Sequence, residues 1–388
     1  MQLGLLTPEY PHPKTKPAAG IGTSVKNMAT ALAGKGFKVS IFIYGQAVDE
    51  IFTEGGIKFH LIKQRKYKFL GWYLHRKFLQ NYLNKVIIQD KINAMEAPDW
   101  TGITAFMKLK CPLVIRFHGS DAYFCHLENR PQKKKNFWFE KKALEGADHL
   151  LSVSKFTAEI TVALFNLKKK IEIIPNSVDV EYFCPSNTAE ESNTILYFGS
   201  IIRKKGVLEL AAIFNLIVAK NPEARLLFAG KNVKDQLTGR STKQLILEQL
   251  SPSALKNTAW LGVLPYEKVL AQIAAANVVV LPSFAEALPM TWLEAMAMEK
   301  ALVTSDIGWA KEVMINGLTG FTVDPKDHQE YAGKVLQLLN DPVLAGKMGN
   351  AAREQVVKNF STKVVVKQNI GLYSKILEGD SFPFSEKL

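Results

Sequence analysis

A chain of 388 residues, 47% hydrophobic and 22% charged, has the composition of a soluble globular protein and is too long for one typical core. No apolar run approaches a membrane span, and the start, Met1-Gln2-Leu3-Gly4-Leu5-Leu6-Thr7, lacks a basic leader and reads as a first strand, not a signal peptide. The net charge of +13 is uneven: residues 1–185 hold 27 Lys+Arg and 16 Asp+Glu, residues 186–388 hold 22 and 20.

In chain order the pattern predicts a strand over 3–6, a helix over 22–34 and a strand over 38–44. Strands over 113–118, 149–153 and 171–174 then alternate with helices over 136–145 and 155–165. Residues 179–193, rich in turn formers such as Pro185, Ser186 and Asn187, are expected as a linker. The pattern restarts with strands over 194–199, 225–229, 259–261, 277–281, 301–304 and 320–323. Helices are expected over 207–219, 236–249, 266–275 and, at the tail, 362–377. Strand–helix alternation of this kind implies parallel sheets covered on both faces. The fold class is therefore α/β, two facing Rossmann-like, doubly wound domains: residues 1–178 and, after the linker, 194–361, with 362–388 crossing back to the first. Ligands of such sheets sit beyond the strand C-termini.

The cysteines, Cys111, Cys125 and Cys184, are odd in number and lack metal-type spacing, which argues for reduced thiols in a cytoplasm. In the first strand–helix turn, Pro17-Ala18-Ala19-Gly20-Ile21-Gly22-Thr23-Ser24, two glycines allow a phosphate or sugar to approach the backbone. A dinucleotide site would need a third glycine and an acidic end to the second strand, and both are missing. His118 leaves an apolar strand into a Gly-Ser turn, where sheet ligands bind. Arg203-Lys204-Lys205-Gly206 follows a strand end and precedes a helix, a place where cations suit a diphosphate. No Asp-x-Asp pair follows a strand, so a metal clamp of that kind is not expected. Pro289 is suited to the first position of a helix that carries one charge, Glu294, among apolar residues. Burying that carboxylate bare is expensive, so it must find donors or stay neutral. Glu286 lies in the loop before it, and the two carboxylates flank a helix N-terminus.

Residues 63–78 interleave Lys63, Arg65, Lys66, Lys68, Arg76 and Lys77 with Tyr67, Phe69, Trp72, Tyr73 and Phe78. This composition suits an anionic membrane interface, single-stranded nucleic acid, or a solvated helix with its aromatics turned inward.

The spacing of Glu286 and Glu294 resembles the Glu-x7-Glu signature of the family 4 retaining glycosyltransferases. The likeness runs through Gly20-Ile21-Gly22-Thr23, Phe117-His118-Gly119, the stretches 147–154 and 174–179, Lys205-Gly206, and Asp306-Ile307-Gly308 with Glu312. The resemblance implies a GT-B fold with an interdomain cleft. It implies a metal-independent transfer of a hexose-type sugar from a UDP- or GDP-sugar to a hydroxyl acceptor, a lipid-linked or polysaccharide precursor. No cofactor and no nucleic-acid partner are expected, and the location is cytoplasmic or peripheral on a membrane. Residue by residue, it implies that Glu294 takes the ribose hydroxyls and Glu286 the transferred sugar. Lys205 would contact the diphosphate, helped by backbone N–H groups of the 287–290 stretch, and Ala287, Leu288, Pro289 and Met290 would line the donor side. His118 would meet the donor sugar, and Gly20, Gly22 and Thr23 the acceptor side. The chain departs from the pattern at Ser200, where relatives carry an arginine that Arg203 is expected to replace, at Asn176-Ser177 and at Trp309. A non-catalytic nucleotide-sugar or glycan-binding partner of another transferase is the alternative.

Overall fold

The computed structural model describes residues 1–16, 18–186 and 190–379; Pro17 of the glycine turn, 187–189 of the expected linker and 380–388 of the tail lie outside them. The chain divides into two compact units, Met1–Ser177 with Thr362–Leu388, and Val178–Ser361.

The first unit is built on strands β1 (Gln2–Thr7), β2 (Lys38–Gln46), β3 (Glu50–Glu54), β4 (Ile57–Lys63), β5 (Ala94–Pro98), β6 (Leu113–Phe117), β7 (His149–Ser152) and β8 (Ile171–Ile173). Their order is β3-β4-β2-β1-β5-β6-β7-β8, parallel except for the β3–β4 hairpin. Between them run helices α1 (Gly20–Gly34), α2 (Gly71–Asp90), α3 (Asp121–Leu127), α4 (Lys134–Gly146) and α5 (Lys155–Phe165). Alternation of side chains along β1 and β2 separates the two faces. Leu6 and Phe42 pack with Leu79 and Leu83 of α2 and Phe139 of α4. Leu3, Leu5, Val39 and Ile41 pack with Val25, Met28 and Leu32 of α1. Ser120 and Ser154 cap α3 and α5 by accepting the N–H groups of Tyr123 and Thr157. The β3–β4 hairpin turns on Gly55 and Gly56, both at positive φ.

The second unit carries β9 (Thr194–Phe198), β10 (Arg225–Ala229), β11 (Thr258–Gly262), β12 (Val278–Leu281), β13 (Ala301–Ser305) and β14 (Phe321–Val323), all parallel in the order β11-β10-β9-β12-β13-β14. Its helices are α6 (Val207–Lys220), α7 (Thr242–Leu247), α8 (Pro252–Lys256), α9 (Tyr266–Ala275), α10 (Met290–Ala297), α11 (Ala310–Val313), α12 (His328–Asn340) and α13 (Pro342–Asn359). The helix expected over 236–249 shrinks to α7. The buried Asp235 carboxylate accepts from the Thr238 N–H and hydroxyl, and Gly239 turns at φ +69°, so the chain loops until Ser241 caps α7. The described part of 178–193 packs with the second unit rather than standing apart from both. Arg353 donates to the carbonyls of Phe183 and Ala297, and the Glu191 N–H to the carbonyl of Ala275.

The last helix, α14 (Thr362–Gly379), returns to the first unit and places Val365, Val366, Tyr373 and Ile376 in the α1 face of its core. A buried polar knot fixes it. The Arg116 guanidinium binds both carboxylate oxygens of Glu96 at 2.8 and 3.0 Å and the Asn369 side-chain oxygen at 2.6 Å. The Tyr373 hydroxyl donates to the same carboxylate. Arg116 and Glu96 are 3% and 5% exposed, so each charge depends on the other. Glu96→Ala strands a buried guanidinium and is expected to cost roughly 3–5 kcal/mol. Tyr373→Phe is expected to cost about 1–3 kcal/mol. Denaturant titration of both variants checks the order, and a loss below about 1 kcal/mol for Glu96→Ala contradicts it.

Candidate active site

In the second sheet β9 lies between β10 and β12, so the connections leaving β9 and β12 run to opposite sides. A ligand crevice forms beyond strand C-termini at such a switch point. Both connections carry chemistry. After β9 the chain turns through a short 3-10 segment, Arg203–Lys205, and reaches Gly206 at φ +69°. A Cβ on Gly206 would stand 1.8 Å from the Pro282 carbonyl oxygen, so glycine alone permits this approach. The Phe284 N–H then donates to the Lys204 carbonyl at 2.8 Å, and the Lys205 ammonium pairs with the Glu286 carboxylate. Ala287, Leu288 and Met290 are buried around this pair's loop, and Pro289 caps α10 rather than opening it.

Glu294 sits in the second turn of α10 and is 4% exposed. The Tyr266 hydroxyl, from the first turn of α9, donates to it at 3.2 Å. Burial pushes the Glu294 carboxyl up to about 7, with the Tyr266 hydrogen bond and the Lys205 charge pulling the other way. The carboxylate that had to find donors or stay neutral thus does some of each. Tyr266 went unseen in the sequence. Its one signal is an aromatic hydroxyl opening a helix just past a strand end. Its ring packs edge-on against Phe183, centroids 6.0 Å apart.

In the first sheet the reversal falls between β1 and β5. Beyond β1, the Gly22 N–H donates to the Glu9 carboxylate at 2.9 Å. A Cβ there would meet the Ala18 Cβ at 2.8 Å, whereas Gly20 faces open space. The Thr23 hydroxyl donates to the Ala19 carbonyl at 3.2 Å. Half-buried His118 follows β6, and burial and the Arg116 charge push its pKa down to about 3, so the ring is neutral. Its backbone N–H donates to Asp99 at 2.9 Å. Asp99, at the end of β5, is buried; burial drives its carboxyl up to about 8 against the hydrogen bond from His118. Asp99 is a second residue that sequence reasoning missed. Lys205, Glu286 and Glu294 therefore gather in one unit, and His118, Gly20, Gly22 and Thr23 belong to the other.

Residues 18–182 match the sequence profile of Glycosyltransferase Family 4 and residues 181–355 that of Glycosyl transferases group 1. The chain belongs to the family 4 glycosyltransferases. The alpha-maltose-1-phosphate synthase of Mycolicibacterium smegmatis is 28% identical over 261 residues, 62% of this chain and 66% of that protein, so the match spans just under two thirds of that relative. An uncharacterized glycosyltransferase of Methanocaldococcus jannaschii is 22% identical over 97% of this chain and 99% of its own. Among solved structures, the sucrose-phosphate synthase of Thermosynechococcus elongatus superposes with a TM-score of 0.76 at 21% identity, covering 98% of this chain and 100% of that one. The fold is GT-B.

Within this family 4 glycosyltransferase the Arg203 guanidinium is engaged by Asp235, with bonds of 2.7 and 2.9 Å to its two oxygens. That partner, above all, holds the Asp235 carboxyl at about 2. Arg203 thus shares its charge with the 230–241 loop, and Lys205 is the cation paired beside Glu286. Ser200 is exposed, and its carbonyl accepts the hydroxyl of buried Tyr197 at 2.8 Å. Trp309 is fully buried. Among the described residues no cluster of three or more His, Cys, Asp or Glu could hold a metal ion. No described helix is long and apolar enough to cross a membrane.

The basic aromatic segment 63–78 divides in the structure. Arg76, expected on its outer face, is buried: it donates to the Trp72 and Gly102 carbonyls, both at 3.0 Å, and lies 4.0 Å over the Phe139 ring. It holds the fold and is unavailable to a surface partner.

The Glu294 carboxyl binds its proton more tightly in the fold than in the unfolded chain. Stability from this group is therefore intact below about pH 4.5 and lost as pH rises to about 7. Glu294→Gln removes that loss. Relative to wild type, the variant is expected to be similar at pH 5 and more stable at pH 8 by about 1–3 kcal/mol. Urea titrations at the two pH values check this, and an equal difference at both contradicts the assignment.

Proposed function

We propose that this protein is a retaining, metal-independent hexosyltransferase that moves a sugar from a nucleoside-diphosphate donor, UDP- or GDP-linked, to a hydroxyl acceptor in the cytoplasm. The observation that carries the reading is the Lys205–Glu286 ion pair at the switch point of the second sheet, with Glu294 buried behind it. A nucleotide sugar fits each part. Its diphosphate exchanges with Glu286 as the partner of Lys205, assisted by the N-terminus of α10. The ribose diol suits Glu294, a carboxyl that can accept or donate, steered by Tyr266. Glu286, released from Lys205, faces the sugar.

In the reaction the anomeric C–O bond to the diphosphate breaks and a bond to the acceptor oxygen forms on the same face. The departing diphosphate oxygen takes the acceptor proton, so no strongly basic side chain is needed. Lys205 stabilises the charge that grows on the leaving group. Neutral His118 is suited to a hydrogen bond with a sugar hydroxyl. The basic first unit favours an acceptor bearing phosphate, such as a lipid-linked or polysaccharide precursor.

The test is release of nucleoside diphosphate from UDP-, GDP- and ADP-sugars in the presence of EDTA. Release from one donor is expected, falling about 100- to 1,000-fold in Lys205→Ala and Glu286→Ala with folding intact. Tyr266→Phe is expected to raise the donor KM roughly tenfold with kcat little changed, as loss of a ground-state contact does. Release that needs added divalent metal overturns metal independence. Donor binding by calorimetry without release, acceptor extract included, means the alternative, a binding partner of another transferase.

A further inference from the structure

The turn that carries His118 is gripped by side chains from other parts of the first unit. The His118 N–H donates to the Asp99 carboxylate at 2.9 Å, from the end of β5. The Asp121 and Ala122 N–H groups donate to the two oxygens of Glu140, on α4, at 2.8 and 3.1 Å. The Tyr123 N–H donates to the Ser120 hydroxyl at 3.2 Å. Four N–H groups between His118 and Tyr123 therefore end on side-chain oxygens, not on a strand or helix ladder.

Two glycines make the grip stiff. Gly119 turns at φ +91°, and a Cβ there would stand 2.7 Å from the Phe124 ring, so the turn has little room to relax. Gly102, at φ +56°, lets the chain after β5 pack on the backbone of α4, where a Cβ would stand 2.3 Å from the Phe139 carbonyl. The Gly102 N–H donates to the Asp99 carbonyl at 3.2 Å, and buried Arg76 donates to the Gly102 carbonyl at 3.0 Å. Asp99 and Glu140, distant in sequence, thus belong to one packed frame.

The stability of α3 does not account for both carboxyls, because Ser120 already caps that helix. Asp99 and Glu140 are 1% and 0% exposed, and burial lifts their carboxyls to about 8 and about 7. Two acids kept where burial opposes their charge are a local cost of the kind that functional sites carry. What the frame holds, just past the C-terminal end of β6, is the half-buried, neutral ring of His118.

We propose that Asp99 and Glu140 are positioning residues for His118, holding the 118–122 turn as one rigid piece and so fixing where its imidazole meets the donor sugar. The proposal rests on the reading of His118 given above. Both carboxyls act through that ring and touch no substrate.

The test is a double-mutant cycle on the full chain, read as kcat/KM for the donor that the UDP-, GDP- and ADP-sugar panel selects. Amide hydrogen exchange of the ligand-free protein accompanies it. Asp99→Leu and Glu140→Gln are each expected to lower kcat/KM about tenfold. Asp99→Asn, which keeps an acceptor oxygen, is expected to recover most of that loss. In a His118→Ala background the same substitutions are expected to cost less than about twofold. Affinity for the free nucleoside diphosphate is expected to stay at the wild-type value, and exchange to quicken at 118–122 alone. Equal losses with and without His118 overturn the proposal, as does wild-type exchange at 118–122 in both variants. A His118→Ala protein as active as wild type also overturns it, while leaving the transferase reading intact. Should the wild type release nucleoside diphosphate from no donor, the transferase reading fails instead, and the hold on the turn stands or falls by exchange.

Discussion

The candidate site depends on one steric allowance, the missing side chain of Gly206. Because nothing stands between that residue and the Pro282 carbonyl, the loops leaving β9 and β12 lie against each other. Their contact is sealed by the Phe284 N–H on Lys204, which leaves Lys205 no choice but to meet Glu286. The start of α10, and with it the depth of Glu294, follows from the path of the second loop. A larger residue at 206 would separate a cation from a carboxylate without touching either. The geometry of the candidate site rests on packing between backbones, and the charges are its passengers.

Burial acts on the remaining polar groups in one direction. Glu294, Asp99 and His118 are each driven toward their neutral forms, by desolvation first in every case. Charge is retained where a partner of opposite sign is built in, as in Lys205 with Glu286, Arg116 with Glu96 and Arg203 with Asp235. Glu294, Asp99 and His118 thus lean to neutral hydrogen-bonding forms, and charge persists in built-in pairs.

Much of this was legible in the sequence, for reasons that also explain the misses. The strands of the second unit are short runs of Val, Ile, Leu and Phe between turn residues, and periodicity finds such runs; α5 and α9 fall on the expected residues. The lone charge on α10 announced a buried carboxylate. The β3–β4 hairpin was missed although Gly55-Gly56 marks its turn, because β3 exposes three of its five residues, buries none and shows little apolar signal. In the region 236–249 helix-forming residues dominate only after Ser241; Thr238, Gly239 and Ser241 mark the break, and the Asp235 network, completed by Arg203 from another loop, holds the first part as a loop. Tyr266 and Asp99 share that difficulty. Their partners, Glu294 and the His118 backbone, lie 28 and 19 residues away, beyond any local pattern. Arg76 failed differently: its composition suggested a surface, but the carbonyls of Thr101 and Gly102, turned inward at positive φ, drew it in.

The return of α14 to the first unit has a consequence for the order in which the protein is made. A ribosome delivers Glu96 and Arg116 early, while Asn369 and Tyr373 emerge only after the whole second unit has been synthesised. Until then the α1 face of the first sheet lacks a helix, and a buried guanidinium lacks one of its acceptors. The second unit has no such debt, since its two ends meet in a backbone pairing of Val178 with Ser361. Vectorial synthesis therefore completes the later half of the chain before the earlier one, and the nascent first unit waits with an apolar stripe open to whatever chaperone or neighbour reaches it first.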